Sequence, residues 1–425
     1  MSDISKRYES LSPKQRELLD LQLRKKGRGQ FNLPEAARAP AAPLDDVGED
    51  ANALTGGGRG GASEGMDFSL FFFSGDGSQK TDEKYRLLLE SAVFADAHGF
   101  AAVWTPERHF QDFGGLYPNP SVLAAALAMI TEKIKLRAGS VALPLHNPIR
   151  VAEEWSVVDN LSHGRVEVSF ASGWHPLDFV LHPGSYRNRK ELMFENVRKV
   201  QKLWAGDAVA FEGVDGDEVE VKILPKPIQP QLPTWITIQG NPESWVRAGE
   251  IGANVLTAIV TQPLGILAAK IRLYREARAR HGHDPSAGRV AAMLHTFVGE
   301  SEAAVKEQVR APLTRYLRGN LKQLELQKDV FIKNSARPLS FEFDNMTEAD
   351  LDDVAAYAFE RYFDTILLCG TPAKCSRLVN RLAESGVGEI ACLVDFGLPR
   401  EAVLEGLKHL DTVREMHAPV KTHAA

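Results

Sequence analysis

Gly99-Phe-Ala-Ala-Val-Trp-Thr-Pro-Glu-Arg-His-Phe110 is the stretch of this sequence that decides the fold prediction. Its apolar first part, 99–103, is typical of a short buried strand. An aromatic residue, an acid, a cation and a histidine follow that strand: Trp104, Glu107, Arg108 and His109. In parallel α/β barrels the loops after the strands converge at one face, where the chemistry takes place. The stretch therefore predicts a site with a general acid or base, a cation and a flat aromatic floor for a planar, polar cofactor.

The composition is that of an ordinary globular enzyme. The chain has 425 residues, 44% hydrophobic and 25% charged, which suits one large barrel or two smaller domains. A net charge of −6 gives no indication of nucleic-acid binding. No apolar run approaches the ~18 residues of a membrane span, and no signal core is present. The cysteines lack zinc or CxxC spacing, which predicts reduced thiols, no metal and a cytoplasmic location: Cys369, Cys375 and Cys392.

Three zones divide the chain. Residues 1–27 predict one basic helix of the docking type, since residues 1–28 contain eight Lys or Arg against four acids. A helix of this length is marginal alone, so we expect it to dock on its own barrel, a second subunit or another protein. Residues 28–65 predict a flexible linker rich in Gly, Ala and Pro. Residues 66–420 predict the enzymatic domain.

Strand and helix patterns alternate from Met66 onward, which predicts a parallel sheet covered by helices. We expect strands near 66–73, 101–104, 135–142, 165–170, 234–239, 253–258, 290–297, 365–369 and 389–394. A (β/α)8 TIM barrel needs eight of these nine. Either one prediction is wrong or one strand lies outside the barrel, and 365–369 has the weakest pattern. A doubly wound open sheet is the alternative, although no GxGxxG opens the first unit.

Two stretches interrupt the alternation. Residues 207–232 contain two short strand patterns around Gly213 and Gly216, which predicts a β-hairpin inserted in a loop. Residues 320–349 have mixed charge and no period. That pattern fits a long mobile lid loop or simple surface disorder.

Several strand ends carry candidate binding residues, each with an ordinary turn as the alternative. The small residues Gly139 and Ser140 allow a large ring close to the backbone. His175, in Trp174-His-Pro176, has no second metal-ligating residue at the spacing of a metal site. Its predicted functional role is therefore substrate contact or proton transfer. Arg189 and Lys190 at a helix start predict an anion site. Nucleophile-elbow, zinc-protease and P-loop motifs are absent from the sequence.

Taken in order, these pieces resemble the bacterial luciferase-like flavin monooxygenases over roughly residues 66–417. The landmarks at matching spacings are Met66-Asp-Phe-Ser-Leu-Phe71, Trp104 with Glu107-Arg-His-Phe110, Asn119-Pro120, Leu143-Pro144, Asn147-Pro-Ile-Arg150, Leu161-Ser-His-Gly-Arg165, Ser172-Gly-Trp174, Asp178-Phe179 and Gly370-Thr-Pro372. The similarity is strongest to the branch of natural-product biosynthesis, inside or beside non-ribosomal peptide and polyketide assembly lines. The N-terminal residues 11–19 and 23–27 also resemble the short helix that borders modules in those synthetases.

The resemblance implies a TIM barrel, commonly dimeric, that binds reduced FMN from a separate flavin reductase and uses O2 to hydroxylate its substrate or insert oxygen into it. It also implies a non-proline cis peptide under the flavin, at Gly139–Ser140 or Ser140–Val141. The phosphate contacts would match Lys190 and the Gln239–Ser244 turn. The full set of expected cofactor-binding residues is Trp104, Gly139, Ser140, Val141, Ser172, Gly173, Trp174, Arg189, Lys190, Gln239, Gly240, Asn241 and Ser244.

The chain departs from luciferases at two positions. Luciferases carry a second histidine directly after the glutamate, where this chain has Arg108, and an arginine where it has Ser172. Light emission from aldehydes is therefore not expected. The expected catalytic residues are His109 and His175 for proton handling, Arg108 for an anionic group, and Glu107.

Our functional hypothesis is a homodimeric, reduced-FMN-dependent monooxygenase acting on a biosynthetic intermediate, either a free small molecule or one tethered to a carrier protein. The basic N-terminal helix would dock an acidic carrier. Two alternatives stay open at this point: a deazaflavin-dependent dehydrogenase on the same fold, and a non-catalytic interaction module of an assembly line. Oxygen consumption separates the first from a monooxygenase, and flavin binding counts against the second.

Overall fold

A computed structural model of the chain describes residues 65–73, 84–111, 115–259, 263–326 and 348–418. The predicted docking helix, 1–27, and the linker, 28–65 except its last residue, lie outside the described residues. The ends of the predicted lid, 320–326 and 348–349, are helical. This narrows the predicted loop to 327–347, which lies outside the described residues as well.

Eleven strands occur in the described part of the chain. They are β1 Asp67–Phe71, β2 Ala102–Thr105, β3 Lys135–Ala142, β4 Val166–Ala171, β5 Val209–Glu212, β6 Glu218–Val221, β7 Thr234–Thr237, β8 Asn254–Ala258, β9 Val290–Val298, β10 Leu368–Gly370 and β11 Glu389–Leu393.

Eight of these strands close a parallel barrel in the order β1-β2-β3-β4-β7-β8-β9-β11, with β11 paired to β1. The predicted TIM barrel is confirmed and the open sheet is wrong. The weak ninth strand is real but lies outside the barrel, because β10 pairs only with the last residues of β9. The predicted hairpin is also confirmed: β5 and β6 pair antiparallel between a helix and β7.

Ten helices accompany the strands in the described residues. They are α1 Arg86–Ala97, α2 Pro120–Ala128, α3 Pro148–Leu161, α4 Arg189–Ala205, α5 Pro242–Glu250, α6 Leu264–Arg280, α7 Glu302–Leu326, α8 Glu348–Thr365, α9 Pro372–Glu384 and α10 Arg400–Met416. Asn-Pro or Thr-Pro pairs start four of them, since the Asn or Thr side chain accepts a hydrogen bond from a first-turn N–H and proline tolerates the first helical position. None of the described helices is long and apolar enough to cross a membrane.

The barrel interior is filled by a charged and aromatic cluster. The guanidinium of Arg137 lies 4.6 Å from the ring centroids of both Trp104 and Trp235. It also donates to Glu167 at 2.7 Å and to Glu389 at 2.6 Å. Burial alone would raise the pKa of Glu389, but the nearby arginine charges outweigh it and lower that pKa. A buried ion pair therefore forms the floor below the mouth of the barrel.

Trp104 is part of this cluster. Its side chain is 0% exposed, and its Nε1–H donates to Ser69 Oγ at 2.8 Å inside the barrel. The ring also meets Trp235 edge-on, with centroids 5.2 Å apart. Trp104 is the second-last residue of its strand and faces the barrel axis, so its ring supports the floor of the site.

Candidate functional site

The loops after β2 and β3 meet through one carboxylate at the mouth of the barrel. Glu107 Oε1 accepts hydrogen bonds from the Nε2 of His109 at 2.8 Å and of His146 at 2.6 Å. Its Oε2 accepts from the backbone N–H of Ala142 at 2.8 Å. The Glu107 side chain is 1% exposed. Because a carboxylate only accepts, both imidazoles present their Nε2 as the protonated nitrogen.

The hydrogen bonds set the charges of this group. Burial would raise the pKa of Glu107, but the bonds from the two histidines outweigh it and lower that pKa. Burial would lower the pKa of His146, but the bond to Glu107 and its charge raise that pKa instead. Glu107 and His146 thus favour an ion pair. Sequence reasoning missed His146, although it lies in the same Pro-bounded turn as Asn147.

Arg108 lies between two aromatic rings. Its guanidinium carbon is 4.9 Å from the ring centroid of Phe73 and 5.6 Å from that of Trp174, and the residue is 7% exposed. Asp178 and Tyr316 both interact with it electrostatically. Burial raises the pKa of Asp178 to about 6, although Arg108 opposes the shift. The structure therefore places an arginine, an aromatic clamp and an acid of weakened acidity together.

His175 joins the loops after β2 and β4. Its Nε2 lies 2.6 Å from the amide nitrogen of Gln111, and its Nδ1 accepts from Leu177 N–H at 3.3 Å. Burial, and then the charge of Arg108, lower its pKa. His175 is therefore neutral at physiological pH. Gln111 was not predicted, because nothing in its sequence surroundings indicates a contact 64 residues away.

A second part of the site is a pocket of about 170 Å³ at the first turns of α4 and α5. Six of the predicted cofactor-binding residues line it: Ser172, Lys190, Gln239, Gly240, Asn241 and Ser244. Two acids, Glu191 and Glu243, line it too, and Glu191 forms an ion pair with Arg247 at 2.9 Å. At the α5 terminus the Asn241 side chain caps the N–H of Glu243 at 3.1 Å. The pocket thus combines a lysine, hydrogen-bonding side chains and a helix N-terminus.

The remaining predicted cofactor-binding residues lie outside this pocket. Arg189 donates to the backbone carbonyl oxygens of Gly173 at 3.2 Å and Tyr186 at 2.9 Å, so its guanidinium ties the loop after β4 to the start of α4. Val141 is buried in β3, and Trp174 is 40% exposed at the rim. Gly173 has a φ of +69°, and a Cβ there would come within 2.9 Å of the Phe179 ring, so only glycine fits this close approach.

The expected cis peptide is present at Gly139–Ser140. A Cβ at Gly139 would lie 2.7 Å from the ring of Phe71 and 3.2 Å from the Cβ of Trp104. The backbone of β3 therefore rests directly on those two side chains. Ala142 of β3 pairs with Ala171 of β4, so Ser172, the residue directly after β4, lies beside the end of β3.

No group of His, Cys, Asp and Glu in the described residues could hold a metal ion. The three cysteines are buried as free thiols, and burial raises the pKa of Cys375 to about 12. Thiol chemistry at this site is therefore unsupported.

The family model described as "Luciferase-like monooxygenase" matches residues 66–389. The chain is 28% identical over 245 residues to the oxygenase component of a flavin-dependent trigonelline monooxygenase from Acinetobacter baylyi. That match covers 56% of this chain and 66% of the relative, just under two thirds of its length.

Solved structures share the fold. The monooxygenase RslO1 from Streptomyces bottropensis superposes with a TM-score of 0.68 at 22% identity, covering 83% of this chain and 99% of that chain. A second structure is the oxygenating constituent of the 3,6-diketocamphane monooxygenase of Pseudomonas putida, a type II Baeyer–Villiger monooxygenase in complex with FMN. It superposes with a TM-score of 0.66 at 20% identity, covering 83% of this chain and 98% of that chain. At these identities the likeness shows the fold alone.

Proposed function

This chain belongs to the luciferase-like monooxygenase family, and from that premise we propose that it is a flavin-dependent monooxygenase using reduced FMN and O2. The observation that carries the proposal is the pocket at the first turns of α4 and α5, which lies with the Glu107 group at the end of the barrel where the parallel strands finish. A phosphate-sized anion site at the same end of the barrel as a buried proton-transfer group fits a phosphorylated redox cofactor. The names of the relatives add support, since they describe flavin-dependent and FMN-bound monooxygenases.

The pocket fits the phosphate of FMN. Lys190 supplies a positive charge, Gln239 and Ser244 supply polar side chains, and the start of α5 adds free N–H groups and the positive end of its dipole. The carboxylate of Glu191 forms an ion pair with Arg247 at 2.9 Å. This pairing weakens its electrostatic repulsion of a phosphate dianion in the pocket. We assign the phosphate to this pocket.

The isoalloxazine ring would extend from the pocket over the ends of β3 and β4. Ser140 and Ser172 lie there with Gly139 and Gly173, whose missing side chains let the side chains of Phe71 and Phe179 pack directly against the backbone. When bound, the reduced flavin supplies the activation of molecular oxygen. The chain's own side chains bind, orient and exclude water.

The Glu107 group holds a proton at a defined atom. Because Glu107 accepts the Nε2–H of His109, the Nδ1 of a neutral His109 is free to accept a proton. His146 holds the second Nε2–H on the same oxygen and helps to keep the carboxylate charged. We propose that His109 and His175 transfer protons, and that Arg108 contacts an anionic group of the substrate or cofactor.

We further propose that the substrate is a natural-product intermediate, free or carrier-bound, and that a separate reductase supplies reduced FMN. The printed name of the relative as an "oxygenase component" supports a second component. Deleting residues 1–60 is expected to reduce turnover of a carrier-bound substrate. Unchanged turnover would remove the docking role of the N-terminal helix.

A homodimer is supported by apolar side chains exposed on neighbouring helices. Val122 on α2, Met129 directly after it, and Val157 and Leu161 on α3 are 64%, 70%, 43% and 43% exposed. Large apolar side chains exposed on two packed helices are typical of a protein–protein interface. Sedimentation equilibrium should show a dimer for the wild type and a shift to monomer for Met129→Glu. A monomeric wild type would contradict this proposal.

The decisive experiment needs no known substrate. FMN is reduced in the presence of the protein, mixed with oxygenated buffer, and the return of oxidised-flavin absorbance is followed in a stopped-flow instrument. We expect a slower return than for free reduced FMN, because the site excludes water and controls protons around the flavin. His109→Ala should bind FMN with nearly wild-type affinity and alter this rate. Absence of flavin binding would refute the proposal, and flavin binding with no reaction with oxygen would favour the dehydrogenase.

A further inference from the structure

Arg247 is a second cation of the pocket at the first turns of α4 and α5, and it has no role toward a ligand in the proposed function. Its side chain is 21% exposed and lines the cavity of about 170 Å³ together with Lys190. Two carboxylates line the same cavity, those of Glu191 and Glu243. The formal charges of the lining therefore cancel. A dianion meets a positively charged pocket only if one of these acids moves away.

Packing holds Arg247 in place independently of any acid. Its guanidinium carbon lies 3.9 Å from the ring centroid of Phe194, a residue of α4 that is 2% exposed. A guanidinium is planar and weakly hydrated, so it stacks favourably on an aromatic face. Phe194 lines the cavity as well. The stacking therefore keeps a positive charge at the wall of the pocket whether or not a carboxylate is paired with it.

The ion pair with Glu191 uses one nitrogen of the guanidinium. Arg247 Nη1 lies 3.0 Å from Oε1 and 2.9 Å from Oε2 of Glu191. In the part of the chain that the structure describes, Nε and Nη2 of Arg247 have no hydrogen-bond partner. A guanidinium carries five N–H donors in a planar fork, which matches two oxygens of one phosphate. Most of the donors of Arg247 are therefore available to a ligand.

Glu191 is a counterion that leaves easily. Its side chain is 71% exposed. Exposed ion pairs contribute little to stability, because water solvates both charges and pairing restricts two long side chains. A phosphate at the same place forms two parallel charge-assisted hydrogen bonds with arginine and carries more charge than a carboxylate. The phosphate is thus the stronger partner for Arg247.

We propose that Arg247 binds the phosphate of the cofactor together with Lys190, and that Glu191 is a counterion which this phosphate displaces. The inference rests on the proposed function, because that function places the phosphate in this pocket. The ligand class is a terminal phosphate monoester with up to two negative charges. Glu191 pairs with Arg247 until the phosphate arrives, and it weakens binding by the free energy of one ion pair.

The test is a double-mutant cycle in the full-length protein, with the affinity for oxidised FMN measured by calorimetric titration. Glu191→Gln is expected to bind FMN about fivefold more tightly, the upper end for an exposed ion pair, because Arg247 is only 21% exposed. Arg247→Met keeps an unbranched side chain on Phe194 and is expected to bind FMN about fivefold more weakly. In the Arg247→Met protein, Glu191→Gln is expected to change the affinity less than about twofold.

Simple repulsion between Glu191 and the phosphate predicts a different result. It gives the same gain, or a larger one, when Arg247 is absent. The matched control is Glu195→Gln, which removes an acid of the same helix that is paired with Lys199 at 2.7 Å and does not line the pocket. This control should leave the affinity for FMN within about twofold of the wild type. Riboflavin, which has no phosphate, should bind all these variants equally.

Thermal unfolding separates ligand binding from a structural role. Glu191→Gln should melt within about 2 °C of the wild type, since it breaks only an exposed pair. Arg247→Lys keeps the charge without the planar fork, so it should retain part of the affinity for FMN and part of the gain from Glu191→Gln. It supplies a second background for the cycle if Arg247→Met folds poorly.

Additive effects of the two substitutions, or riboflavin affinities that change as much as those of FMN, would overturn the inference. The flavin proposal would survive that outcome, because the wild type would still bind FMN. The same cycle with inorganic phosphate as the probe needs no flavin. A protein that binds phosphate with the non-additive pattern but binds no FMN would keep the roles of Arg247 and Glu191 and reject the flavin proposal. Binding of neither probe would reject both.

Discussion

Replacing Glu107 by Gln removes the charge of one buried carboxylate and leaves the size of the side chain nearly unchanged. The carboxylate accepts three hydrogen bonds, from His109, His146 and the N–H of Ala142. A glutamine has one oxygen, so its NH2 group must face either the two imidazoles or the Ala142 N–H. The first choice shifts both rings to the other tautomer, and the second leaves a buried donor unsatisfied.

The size of the effect follows from the change in hydrogen-bond type. Bonds to a charged acceptor contribute about 1.5–3 kcal/mol and neutral ones about 0.5–1.5 kcal/mol, a difference of about 1 kcal/mol for each bond. Three bonds therefore predict a loss of about 3 kcal/mol in the free energy of unfolding near pH 6, measured by urea denaturation.

The loss should depend on pH in a stated direction. The raised pKa of His146 means that its contribution is complete below its ordinary value of 6.5 and is lost as pH rises through the raised value. The lowered pKa of Glu107 means that its contribution is complete above 4.5 and is lost as pH falls through the lowered value. The difference between wild type and Glu107→Gln should therefore be largest between pH 4.5 and 6.5 and smaller at pH 9.

The control is Glu153→Gln, an exposed acid on α3 with a 3.5 Å contact to Arg150. Exposed ion pairs contribute little, so its effect should stay below about 1 kcal/mol at every pH. A pH-independent difference for Glu107→Gln, or one no larger than that of Glu153→Gln, would refute the reasoning.

Two further predictions follow from the same structure. Gly139→Ala should destabilise the protein by about 1–3 kcal/mol in urea denaturation, because its Cβ would lie 2.7 Å from the Phe71 ring. Phe71→Leu should lower the free energy of unfolding less in the Gly139→Ala protein than in the wild type. Additive effects of the two substitutions would contradict this. The pKa of Asp178, raised by burial to about 6, means that wild-type stability falls as pH rises through 3.8 to 6. Asp178→Asn should therefore be more stable relative to wild type at pH 8 than at pH 4, and the opposite trend in melting temperature would contradict it.

Much of the barrel was predictable because its local signals agree with its global fold. Asn-Pro and Thr-Pro pairs mark where α2, α3, α5 and α9 begin, and the structure starts those helices there. The weak strand near 365–369 lies outside the barrel for a physical reason. It is three residues long and pairs only with the end of β9, so few residues were available to carry a strand pattern.

Side-chain direction in the buried strands was not predictable. All four residues of β2 are buried, so no alternation of polar and apolar residues tells which face Trp104 occupies. Arg189 and Lys190 show the same limit. Neighbouring residues at a helix start point in different directions, so the sequence alone does not tell which of the two lines the pocket.

The contacts between loops were also beyond the sequence. His146 meets Glu107 across 39 residues, and Gln111 meets His175 across 64. Nothing local requires either contact, because each depends on how closely two strand ends approach after the barrel has closed.

The central claim is that the mouth of this barrel binds FMN by its phosphate at the Lys190 pocket. Titrating the protein with FMN and with riboflavin, which lacks the phosphate, tests it most directly. We expect FMN to bind at least about tenfold more tightly, Lys190→Ala to remove most of that difference, and the control Lys202→Ala, an exposed lysine of the same helix, to leave it intact. Equal affinities for FMN and riboflavin in the wild type, or an unchanged preference in Lys190→Ala, would contradict the account.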